Sequence, residues 1–121
     1  MALKLSSRQQ AQLAYLDALV PRIARIHTLI EKLNSPTEME SSRKSLGRLL
    51  DELKSGASGL GLNGVAATAA GMSGLARGTG GLHTRVRGLR EGLAGLKINC
   101  DGARKAASKP AAENEEPGSA T

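Results

Sequence analysis

Tryptophan and phenylalanine are absent from this 121-residue chain, and Tyr15 is its single tyrosine. A core without those rings has to be built from Leu, Ile, Val, Ala and Met. That suits helices packed through aliphatic side chains better than sheets, which favour aromatic and β-branched residues. Cysteine occurs once, at Cys100, so no disulfide can close within the chain and a reducing, cytoplasmic compartment is the expectation. No apolar run approaches the roughly 18 residues of a membrane helix. The opening MALKLSSRQQ also lacks the apolar stretch of a signal peptide. Acidic residues are the minority, 11 against 17 Lys and Arg, and the net charge of +6 favours acidic partners: nucleic acid, anionic lipid or an acidic protein face. Glycine is plentiful but follows no fixed period, which excludes a collagen-like fibre. The length suffices for one domain with one core.

What is present is helical periodicity. Leu16, Leu19, Ile23, Ile26, Ile30 and Leu33 recur at alternating steps of three and four, with Leu13, Val20 and His27 widening the stripe on one flank. This predicts a first helix from Ser6 or Ser7 to about Leu33, kinked at Pro21. In Asn34-Ser35-Pro36-Thr37-Glu38, Ser35 is expected as N-cap, Pro36 as first helical residue and Glu38 as partner in a capping box. A second helix then runs to about Gly59 or Gly61, with Leu46, Leu49, Leu50, Leu53, Ala57 and Leu60 on its apolar face. Asn63 is a candidate cap for a third helix that buries Val65, Ala69, Met72 and Ala76 and stops at Gly78. A fourth carries Leu82, Val86, Leu89, Leu93, Leu96 and Cys100.

Short turns between helices of similar length predict an all-α, antiparallel four-helix bundle over residues 1–104. Gly71 and Gly74 in the third helix, and Gly88, Gly92 and Gly95 in the fourth, each cost up to about 1 kcal/mol relative to Ala. Close approach of neighbouring backbones is the expected compensation, with the C-terminal half the softer one. Residues 105–121 lack apolar periodicity and read as a disordered, solubilising tail made locally acidic by Glu113, Glu115 and Glu116.

Chemistry is scarce. Gly78 to Gly81 has neither a preceding strand nor a following Lys, so it is no phosphate loop. No His, Cys or carboxylate pairs have metal-ligand spacing, and no cofactor is implied. His27 and His83 read as structural or surface residues. Arg43, Lys44 and Arg48, and again Arg85, Arg87 and Arg90, could contact phosphates. Without aromatic stacking platforms, solvated basic faces are favoured over a nucleic-acid groove.

In the second helix, Leu53-Lys54-Ser55-Gly56-Ala57 followed by Leu60-Gly61 resembles the signature of bacterial histidine phosphotransfer (HPt) domains. That signature is His-x-Leu-Lys-Gly-x-Ala/Ser with a later Gly and a Leu opening the next helix. Val65, Met72 and Ala76-Arg77-Gly78-Thr79 continue the match, which covers about residues 46–96. The resemblance implies a four-helix bundle that docks a response-regulator receiver domain or a histidine kinase. It departs from the family at the decisive place. The phosphate-accepting His falls on Asp51, and the Gly after the Lys is replaced by Ser55. An Asp on an exposed helix has no imidazole nucleophile, so the resemblance implies a non-enzymatic, pseudo-phosphotransfer member.

The candidate partner-binding residues are then Lys44, Arg48, Asp51, Lys54, Ser55, Ser58 and Gly59. They would form a basic rim with small residues that suits an acidic protein partner. An equally weighted alternative makes Arg48, Asp51 and Lys54 a surface ion-pair ladder and nothing more. Two other functions stay open at this point: a helical secretion chaperone or adaptor that holds a partner helix against the first helix, and a basic nucleic-acid-binding protein.

Overall fold

The computed structural model describes residues 4–110, and all of its regular structure there is helical. α1 (Ser7–Lys32), α2 (Met39–Gly59), α3 (Asn63–Arg77) and α4 (Leu82–Ala107) follow one another through short turns. Each helix packs on its neighbours in sequence and α1 also on α4, which closes the ring without diagonal contacts. Cross-helix bonds fix the directions. Gln12 and Tyr15 of α1 donate to the carbonyls of Leu60 and Leu53 in the reverse order along the chain. Arg104 and Arg90 of α4 pair with Asp17 and Glu31 of α1, again reversed. The expected antiparallel four-helix bundle is the fold.

The core is the aliphatic one that the composition demands. Leu16, Leu19, Ile26, Ile30 and Leu33 meet Leu46, Leu50, Leu53 and Ala57, then Val65, Ala69, Met72 and Ala76, then Val86, Leu89, Leu93 and Leu96, all buried. The flank of α1 is corrected. Leu29 is buried on one side of the stripe, while Val20 on the other is 60% exposed and His27 is exposed as well. An apolar stripe read from spacing alone does not say which edge meets the neighbouring helices.

The ends of the helices carry further corrections. α1 starts with a full capping box: the Ser6 hydroxyl accepts from the Gln9 amide and the Gln9 side chain accepts from the Ser6 amide. The box expected at Ser35 does not form, and α2 begins at Met39. The Ser35 amide is already used by the Lys32 carbonyl, and the Glu38 carboxylate pairs with Lys32 at 3.4 Å instead of turning back. Asn63 is the first residue of α3 and gives no side-chain cap. The turn before it is a Schellman closure, with Leu62 N–H bonded to Ala57 O, Gly61 N–H to Ser58 O, and Gly61 at φ 74°.

α4 continues beyond the expected domain end at residue 104. Ala103 and Ala107 extend the apolar face after Leu96 and Cys100, and Ala107 is buried. Small side chains at the right spacing were enough to keep the helix docked. The expected tail therefore loses its first residues to α4, and residues 111–121 lie outside the described residues.

The glycines split into two groups. A Cβ on Gly92 would come within 2.6 Å of Met72 Cγ and one on Gly88 within 3.0 Å of Leu75, so these two do permit close packing of α3 on α4. Gly71, Gly74 and Gly95 face open space, and the compensation expected for them is absent.

Candidate functional site

Asp51 organises the outer face of α2. Its position three residues after Arg48 and three before Lys54 suggested a ladder along one helix, but the carboxylate turns sideways to α3. Ser73 Oγ donates to Asp51 Oδ1 at 2.7 Å. Arg77 Nη1 reaches Asp51 Oδ2 at 2.6 Å and also donates to Ser73 Oγ at 2.9 Å. The three side chains form a closed triangle in which the hydroxyl both accepts and donates. Ser73 and Arg77 are one helical turn apart, so α3 presents both to the same point. Gly47 makes room for this: a Cβ there would stand 3.1 Å from Arg77 Nη2. The hydrogen bond from Ser73 and the Arg77 guanidinium hold the Asp51 carboxyl below its usual range, so it is a fixed anion at neutral pH.

The ion-pair ladder is absent. Arg48 and Lys54 make no ion pair among the described residues, and neither does Lys44. All three are exposed, as are Ser55, Ser58 and Gly59. Every residue expected on the partner-binding face is thus at the surface, with Asp51 half-buried.

The face is nonetheless divided. Lys44, Arg48 and Asp51 share a shallow hollow of about 350 Å³ with Arg43, Glu52 and Arg77. Lys54, Ser55, Ser58 and Gly59 line a second, wider one of about 600 Å³ with Ala66 and Ala67 of α3. Lys54 lines the second hollow and makes no ion pair with Asp51, although its charge still acts on that carboxylate.

Beneath this face, Tyr15 of α1 lies against α2. Its hydroxyl donates to Leu53 O at 3.0 Å, and Gly56 leaves the space for its ring, since a Cβ there would fall 2.7 Å from the Tyr15 oxygen. Gly56 thus has a local task, seating the chain's single tyrosine.

Ser73, Arg77, Gly47 and Tyr15 were not singled out as site residues by the sequence. The i, i+4 spacing of Ser73 and Arg77 was visible, but what lay opposite them was not. His27 and His83 are exposed, and neither makes a side-chain hydrogen bond among the described residues. No group of three or more His, Cys, Asp or Glu side chains that could hold a metal occurs among the described residues, and no helix there is long and apolar enough to cross a membrane.

The basic clusters are partly consumed within the molecule. Arg43 pairs with Glu40 at 2.8 Å, Arg90 with Glu31 at 2.7 Å, and Arg85 donates to the Gly78 and Gly80 carbonyls of the α3–α4 turn. Compared with family models, with curated proteins and with solved structures, the chain finds no match in any of the three.

Proposed function

We propose that this chain is a non-catalytic, phosphotransfer-like docking protein of the cytoplasm, which binds a receiver domain or another phosphorelay partner and modulates it without passing phosphate. One observation carries the reading. At the position where an HPt domain would carry its phosphate-accepting histidine stands Asp51, held as an anion by Ser73 and Arg77. Both oxygens of this carboxylate are engaged by Ser73 and Arg77, it has no imidazole nitrogen to take a phosphoryl group, and its negative charge repels a phosphoaspartate. The exposed Lys44, Arg48 and Lys54, beside the small residues Ser55, Ser58 and Gly59, suit an acidic surface that must approach α2 closely.

Rival readings have less support. The apolar stripe of α1 is spent on the bundle, with Val20 its one large exposed apolar side chain among the described residues, which leaves little to hold a partner helix. Nucleic-acid binding is weakened by the internal engagement of Arg43, Arg85 and Arg90.

The test uses the full chain and purified receiver domains charged with acetyl phosphate. Binding is expected, weakened by Arg48→Glu and by Lys54→Glu, with no acid-labile label on the chain. Asp51→His is expected to gain such a label. Failure of every receiver to bind removes the reading, and label on His27 or His83 of the unaltered chain removes its non-transferring half.

A further inference from the structure

The hollow between α2 and the end of α3 holds an excess of cations. Arg43, Lys44, Arg48 and Arg77 face two carboxylates, Asp51 and Glu52. Asp51 is bound to Arg77 through Nη1 alone, with Ser73 on its other oxygen. The Nε and Nη2 donors of Arg77 make no hydrogen bond among the described residues, and its side chain is 53% exposed. Arg43 uses Nε and Nη2 on Glu40, which leaves Nη1. Lys44 and Arg48 are unpaired. Two uncommitted cations, the Nε/Nη2 edge of Arg77 and the Nη1 of Arg43 therefore line one concave surface. Planar, forked donors of this kind match the oxygens of a tetrahedral oxyanion better than they match a single carboxylate.

We infer that this hollow is a binding subsite for a doubly charged oxyanion of the phosphate class, with Arg48 and the free edge of Arg77 as its principal donors and Lys44 as a supporting charge. Asp51 has a part in it. By holding Arg77 through Nη1 it leaves Nε and Nη2 uncommitted beside Gly47, so it positions the site and does not fill it. Gly47 keeps the guanidinium flat across α2. The subsite shares Lys44 and Arg48 with the docking face, but it stands on the donor set alone and does not depend on a receiver domain as partner.

The experiment titrates the nitrogen-15-labelled full chain with inorganic phosphate and, separately, with O-phospho-L-serine, at constant ionic strength. Saturable shifts are expected at the amides of residues 43–52 and at the Arg48 and Arg77 Nε–H signals, with none at Arg25 or Arg87. Arg48→Gln and Arg77→Gln should each weaken binding by roughly two- to fivefold, the range for a partly solvated charge pair. Arg87→Gln should leave it unchanged. Binding should tighten as pH rises from 5.5 to 7.5, because a phosphate monoester takes its second charge near pH 6. Saturation by both probes identifies a site open to a phosphate carried on a larger molecule, and saturation by inorganic phosphate alone identifies a free-ion site. Shifts that never saturate, or that are equal at Arg87, overturn the inference. Since neither probe contains a receiver domain, that failure is distinct from failure of the docking reading.

Discussion

Asp51 and Arg77 meet at 2.6 Å across the seam between α2 and α3, and Ser73 closes the triangle from one turn below Arg77. Asp51 has a folded pKa below its unfolded value of about 3.9. Its contribution to stability is therefore complete above that value and is lost as the pH falls through the lower folded one. Urea unfolding of the protein and of Asp51→Asn between pH 2 and 7 should differ most at neutral pH and converge at the acid end. Arg77→Gln should move the Asp51 carboxyl pKa back up toward the ordinary value, read from its side-chain carbon-13 shift. A pKa that stays put would mean that the pair does not form in solution.

The glycines of α3 and α4 should behave in opposite ways. Gly71→Ala and Gly74→Ala add a methyl to open surface and should each stabilise by roughly 0.5–1 kcal/mol. Gly92→Ala gains about 1 kcal/mol of helix propensity. It also drives its Cβ into Met72, where overpacking costs typically 1–3 kcal/mol. A net loss of about 1 kcal/mol is expected in urea unfolding followed by far-ultraviolet circular dichroism. Equal gains at Gly92 and Gly74 would contradict this packing of α3 on α4.

Tyr15 and Gly56 should be coupled. Tyr15→Phe gives up the hydrogen bond to Leu53 O and should cost about 1 kcal/mol. Gly56→Ala displaces the same hydroxyl, so the double variant should cost less than the sum of the two single ones. Additive losses in the cycle would show that the two residues act separately. Because there is no Trp, tyrosine fluorescence reports this site directly in the variants that keep Tyr15.

Cys100 is buried on α4, and burial pushes its thiol pKa up, with Asp101 adding to the effect. Reaction with Ellman's reagent should be slow in the native protein and should accelerate with urea in step with unfolding. Rapid native reaction would place the thiol outside the core.

Much of this protein was legible in the order of its residues. Steps of three and four placed all four helices, and the lack of aromatics called for an aliphatic core. The four buried apolar positions of α3, Val65, Ala69, Met72 and Ala76, were readable one by one, because period and hydrophobicity are local properties of the chain, whereas buried Ser73 was not. Other features depended on what stands opposite. Whether Leu29 or Val20 flanks the core, whether Ser35 has a free amide, and whether Gly92 or Gly74 meets a neighbour are settled by the packing of one helix on another. The triangle of Asp51, Ser73 and Arg77 is the clearest case. Its members lie up to 26 positions apart, and a carboxylate on an exposed helix can turn along its own helix or across to the next. The sequence by itself determined that an Asp stands at this point of α2. Only the tertiary structure, by laying α3 antiparallel against it, decided that the charge is bound and which cations around it are left free.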